Sequence, residues 1–216
     1  MNSDEIDEGE EEDYHFYTEW VNFFKNNSFT SEAKYQETLD YLDPEEFAQY
    51  MSTELYIGNI DWPANNQRSW REVRTPNTRW HFMMYDTDDS MSMVPHMCSY
   101  DKDPFLKNNH WAGGPLEPGC LMGLILTKLI QNPTFKQMFR ETYERIGKEN
   151  FSPTIVNQYL NNKVELMKTP MVNQYRRYVS NSYGEEYFLE QVDIIKTFFE
   201  NRYEYAMSFL NEHIPE

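Results

Sequence analysis

The sequence predicts a mainly α-helical domain carrying one small β-hairpin, and three observations carry that expectation. Apolar residues recur at helical spacing in six segments, whereas only one place has two short strand-like runs flanking a cluster of turn residues. Aromatic residues make up 16% of the chain against a mean hydropathy of -0.82, the pattern of a tightly packed core under a very polar surface. At 216 residues the chain can bury one substantial core, and its length does not require a second domain.

The opening "MNSDEIDEGEEED" holds eight acids and no base, so residues 1–13 read as an acidic disordered tail preceding a domain over 14–216. In "YHFYTEWVNFFKNN", Phe16, Trp20, Phe23 and Phe24 fall at helical spacing and form the apolar face of a short helix. "LDPEEFAQYMSTELYIGN" is a stronger helix. Asp43 is a natural N-cap, Pro44 suits the first helical position, Glu46 completes a capping-box-like start, and Phe47, Met51, Leu55 and Gly58 share one face. "RSWREVR" and "RWHFMMYD" then flank the turn residues Thr75 to Thr78 as the two strands of a hairpin, with Asp86 where the second strand ends. From Thr87 to about Gly119 the chain is rich in Asp, Pro, Gly, Met and His without a clear period, which predicts an irregular loop anchored by Phe105 and Trp111. Further helices are expected through "CLMGLILTKLIQN", through "PTFKQMFRETYERIG" from Pro133 to a closing Gly147, after Ser152-Pro153, and through the long final "GEEYFLEQVDIIKTFFENRYEYAMSFLNEHI".

The formal charge is -17, and removing the eight acids of the opening still leaves -9. Such a surface repels phosphate backbones and anionic headgroups, which argues against nucleic-acid binding. No apolar run approaches the length of a membrane span, and no charged-then-apolar leader is present, so neither a span nor a signal peptide is expected in this chain. Cys98 and Cys120, the only cysteines, permit one disulfide or none and leave the redox compartment open.

Chemistry concentrates in "NIDWPANNQRSW". Asp, Asn and Pro favour turns, so one reading is a structural loop. The other begins from phosphoryl transfer, which needs an aspartate to orient the attacking hydroxyl and further groups to hold a divalent cation on the phosphates. Asp61, an Asn five residues later at Asn66, and Asp86 beyond the hairpin follow the order of those groups in protein kinases, with Asp88 close by in "YDTD". His96, Cys98, His110 and Cys120 offer zinc-ligand chemistry in a spacing that matches no compact zinc signature. Met83, Met84, Met91 and Met93 read as core filling, and Trp62, Trp70 and Trp80 as packing around the hairpin.

"PEEFAQYMSTELYIGNIDWPANNQRSWRE…RWHFMMYDTDDSM" resembles the spore coat protein H (CotH) kinase family, in which an apolar helix leads to an N-x-DW-x-x-NN segment and then to a W-x-x-x-x-YD-x-D strand end. The downstream "LTKLIQNPTFKQMFRETYERI", "FSPTIVNQYLNNKVELM" and "FFENRYEYAMSFL" are similar to its C-terminal helices. The resemblance implies the C-terminal lobe of an atypical protein kinase, with ATP and Mg²⁺ or Mn²⁺ as cofactors. It implies as substrates proteins bearing Ser or Thr, and a secreted, cell-surface or spore-coat location. Asp61 would be the catalytic aspartate, Asn66 and Asp86 the metal and nucleotide-phosphate holders, and Asp88 a further metal ligand. Asn59-Ile60 stands where His-Arg precedes the aspartate in ordinary kinases, and Asp86-Thr87-Asp88 is not Asp-Phe-Gly. About 60 residues precede Asp61 and none form a Gly-rich loop, so a nucleotide-covering lobe is expected to be missing. A second class of function is a non-catalytic extracellular interaction module, in which the same loop shapes a surface and the acidic patch binds calcium or a basic partner.

Overall fold

A computed structural model describes residues 5–63, 65–107, 114–180, 182 and 184–216. Its helices are α1 (Tyr14–Asn26), α2 (Glu32–Gln36), α3 (Pro44–Ile57), α4 (Pro95–Cys98), α5 (Leu121–Leu129), α6 (Pro133–Arg145), α7 (Pro153–Tyr178) and α8 (Glu185–His213). The strands β1 (Arg68–Trp70) and β2 (His81–Met83) pair antiparallel, Ser69 opposite Phe82. The fold is therefore mainly α with a small hairpin. None of the helices among the described residues is long and apolar enough to cross a membrane. Within the opening acidic run, Glu11–Asp13 forms a 3-10 turn and Asp7 pairs with the Arg68 guanidinium.

Helix α3 is the centre of the molecule. Phe47, Ala48, Met51 and Leu55 are completely buried, and the helix packs along α6 and beneath the hairpin. Stripping water from side chains of this size contributes about 1.5–3 kcal/mol each. Asp43 caps it as expected, its carboxylate accepting the Glu45 and Glu46 N–H groups. Glu46 does not complete a capping box. Its carboxylate instead receives His81 Nδ1 at 2.9 Å and the Phe82 N–H at 3.2 Å, tying α3 to β2. An unpaired strand donor offers that carboxylate a better-placed partner than the N-cap backbone does.

The hairpin is shorter than its sequence suggests, three residues a side. Trp80 leaves the ladder because its N–H bonds Tyr41 O at 2.7 Å and its ring stacks on Trp20 at 4.6 Å. Trp62 and Trp80 are core residues as expected, whereas Trp70 is 50% exposed and lies flat against His81. Met83 and Met84 are likewise exposed rather than core filling, because β2 shows its outer face to solvent.

Gly147 does not close α6. The chain continues through a π-turn, Ile146–Asn150, and a Cβ on Gly147 would stand 2.7 Å from a Tyr56 ring carbon, so the glycine is demanded by close packing. The 87–119 segment contains α4 as its one described helix, and Phe105, 3% exposed, anchors it; Trp111, the second expected anchor, lies outside the described residues. Arg202, fully buried on α8, donates to Leu55 O and Tyr56 O at the end of α3 and to Tyr100 O and Lys102 O in this segment.

Candidate active site

The site begins where α3 stops. Gly58 adopts φ 68°, ψ 44°, its N–H bonding Leu55 O while the Asn59 N–H reaches Glu54 O, the pattern of a Schellman cap. This left-handed residue turns the chain back so that Asn59 sits, fully buried, against Glu54. The Asn59 amide donates to Glu54 Oε2 at 3.0 Å, and its oxygen accepts the Asp61 N–H at 3.2 Å. Asp61 thus leaves a rigid helix end through one buried amide and emerges half-buried. Trp62 plunges back into the core, its indole N–H donating to Tyr50 OH at 2.7 Å.

The loop after Asp61 folds over it. Asn65 and Asn66 both donate to Asp61 Oδ2, at 2.8 and 2.7 Å. Asn66 has φ 50°, a region that asparagine tolerates better than most residues, and this aims its side chain across the hairpin toward Asp86 O at 3.5 Å. Asp86 also has positive φ, 50°, three residues beyond the end of β2. The returning segment is stitched to the end of α3: the Ile60 N–H bonds Asp89 O at 3.1 Å and the Met91 N–H bonds Ile57 O at 2.9 Å. Residues far apart in sequence, Asp61 and Asp86, become neighbours.

Their electrostatics follow from that proximity. The Asp88 charge, then partial desolvation, a hydrogen bond to Asp88 and the Asp61 charge push the Asp86 pKa upward. Burial raises that of Asp89, with Asp88, Asp61 and Asp86 adding to it. Asp86 and Asp89 therefore ionise against the negative charge around them, a field that a bound cation relieves. Among the described residues no three of these aspartates bring oxygens within 4.8 Å of one another, so the cluster is an open arc rather than a closed cage.

Asp61, Asn66, Asp86 and Asp88 thus fall together between the α3 end and the hairpin return, the first two half-buried and the last two exposed. Asp89, Asn65, Asn59 and Glu54 escaped the sequence reading. The acid run "DTDD" was visible, but the burial of Glu54 and the bridge through Asn59 have no local sequence signature. The suggested zinc set is not assembled among the described residues: Cys98 is buried on Val94, Cys120 caps α5 through Gly123 N–H, and His96 is exposed. His110 lies outside the described residues. Both cysteines are free thiols.

A search of curated proteins finds no significant match. The family model described as CotH kinase protein matches residues 1–206, a span that includes α3, the Asp61 loop, the hairpin and the aspartate cluster. With nearly the whole chain inside that match, this protein belongs to the CotH kinase family.

Proposed function

We propose that this chain supplies the hydroxyl-orienting and metal-holding lobe of a kinase for ATP- and metal-dependent phosphorylation of Ser or Thr hydroxyls on proteins of the secreted or coat-associated class, without the nucleotide-covering lobe. The observation that carries the reading is the Asn66 side chain, which reaches both the Asp61 carboxylate and the Asp86 backbone. It puts the hydroxyl-orienting candidate and the metal-holding candidates within one residue's span. The donor set fits the cation: carboxylates of Asp86 and Asp88 and the amide oxygen of Asn66 are hard oxygen ligands of the kind Mg²⁺ and Mn²⁺ take. A bound cation would neutralise charge on the transferred phosphate.

The chain's own groups divide the remaining work. Asp61, fixed by Asn65, Asn66 and Asn59, accepts a hydrogen bond from the acceptor hydroxyl and orients its oxygen. Asn66 keeps Asp61 and Asp86 at a set separation. Asp89 holds Ile60 through its backbone and adds negative charge to the cation's surroundings.

The test is calorimetry with Mn²⁺ and with Mg²⁺-ATP, beside a phosphotransfer assay on a serine-rich protein. Asp86→Ala is expected to abolish Mg²⁺-ATP binding. Asp61→Asn is expected to keep it within a few-fold while lowering turnover by about 10²-fold or more. Wild-type turnover in Asp61→Asn would overturn the catalytic assignment. Cation binding without any phosphotransfer, even beside a nucleotide-covering lobe, would favour the interaction module.

A further inference from the structure

The last turn of α8 places Glu212 and His213 against Asp103, in the loop beyond α4. His213 Nε2 lies 2.6 Å from Asp103 Oδ2, and one ligand atom from each of the three residues falls within 4.8 Å of the others. The Asp103 and His213 side chains are 11% and 19% exposed, while Glu212 lies at the surface.

Both walls are held in place. Asp103 Oδ1 accepts the Phe105 N–H at 2.9 Å, which leaves Oδ2 turned toward His213. Arg202 bonds Lys102 O at 2.8 Å, one residue before Asp103. On the other side the Ile214 N–H closes on Leu210 O at 2.8 Å, and Arg140 grips Ile214 O. The Phe105 ring covers the imidazole at 5.2 Å.

A hydrogen bond between Asp103 and His213 accounts for two of the residues but leaves the Glu212 carboxylate beside a second carboxylate. The end of α8 aggravates this, since a helix C-terminus carries partial negative charge. A cation shared by all three removes both conflicts. An imidazole with two carboxylates is a donor set for a borderline divalent ion, and three protein ligands with one open position is a common zinc arrangement. We propose that Asp103, Glu212 and His213 form a zinc-type divalent-cation site, separate from the Asp86 cluster, that clamps the end of α8 to the 99–105 loop.

The experiment uses the full chain, freed of metal by a chelator and titrated with Zn²⁺ by calorimetry and thermal unfolding. Co²⁺ absorption serves as an independent readout of nitrogen and oxygen ligation. Wild type is expected to gain in unfolding temperature with one equivalent of Zn²⁺, and Asp86→Ala to gain equally. Glu212→Gln, at the surface and safe for folding, is expected to weaken Zn²⁺ binding by at least about tenfold. His213→Ala is expected to abolish both the gain and the Co²⁺ band. No Zn²⁺ response in wild type would overturn the site, as would a response that survives Glu212→Gln and His213→Ala or one lost in Asp86→Ala.

Discussion

Glu54 has no exposed surface, and its Oε1 has no hydrogen-bond partner among the described atoms. Burial drives its pKa from 4.5 to about 8, the Asn59 hydrogen bond opposing only part of the shift. The group is therefore mostly a neutral acid at pH 7, which lets α3 carry it under the Asp61 loop without an unpaired charge. The linkage has a definite sign. A folded-state pKa above the unfolded value means that the folded chain holds the extra proton, so this contribution is full below pH 4.5 and is lost as pH rises toward 8. The slope is about 1.4 kcal/mol per pH unit within that window. Glu54→Gln keeps an acceptor for Asn59 and cannot ionise. Urea unfolding at pH 5.5 and pH 8 is expected to show the variant gaining on wild type at the higher pH by on the order of 2–3 kcal/mol. An unchanged difference would mean that Glu54 does not titrate there.

At the scale of elements, Arg202 joins three parts of the fold: α8, the end of α3 and the loop after α4. Its guanidinium meets carbonyls rather than a carboxylate, and two of them, Leu55 O and Tyr56 O, belong to the last turn of α3, where the helix dipole favours a cation. Arg202→Met would fill much of the volume and leave four carbonyls, two of them in buried contacts and two in part-buried ones, without this donor. We expect a loss of about 3 kcal/mol or more in chemical denaturation, with amide exchange rising first in the 99–105 loop. Equal protection across the molecule in the variant would contradict this strut role. Beyond Arg202 the α7–α8 pair thins to a small cluster of Val172, Phe188 and Val192, so its outer half rests on few buried contacts.

For the whole molecule the charge of -17 matters. About half of that excess lies in the opening run, where Asp7 already engages Arg68, and the Asp61–Asp89 edge concentrates more. Like charges at this density oppose the compact state, and salt screens them over a Debye length of about 10 Å at 0.1 M. The unfolding temperature is expected to rise by a few degrees, roughly 1 kcal/mol of stability, between low salt and 0.3 M NaCl. A fall with added salt would show that ion pairs outweigh the repulsion.

Helix periodicity, the Asp43-Pro44 start and the order Asp61, Asn66, Asp86 were legible in the residues, because each rests on a local rule of spacing or capping. Helix ends and strand lengths were less so. Gly147 looks like a terminator, yet the approach of Tyr56 decides its role; the Trp80 run looks like a strand, yet Trp20 and Tyr41 pull it from the ladder. The site divides in the same way. Its carboxylates and amides are written in the loop, whereas the partners that hold them come from elsewhere: Glu54 from a buried helix face and Asp89 from the far side of the hairpin. Glu54 shifts its pKa only because packing removes its water, and Asp103 meets His213 across 110 residues only because Arg202 and Phe105 fix the loop. Local sequence carries the propensity of a segment, but burial and long-range pairing exist only after the chain has closed on itself.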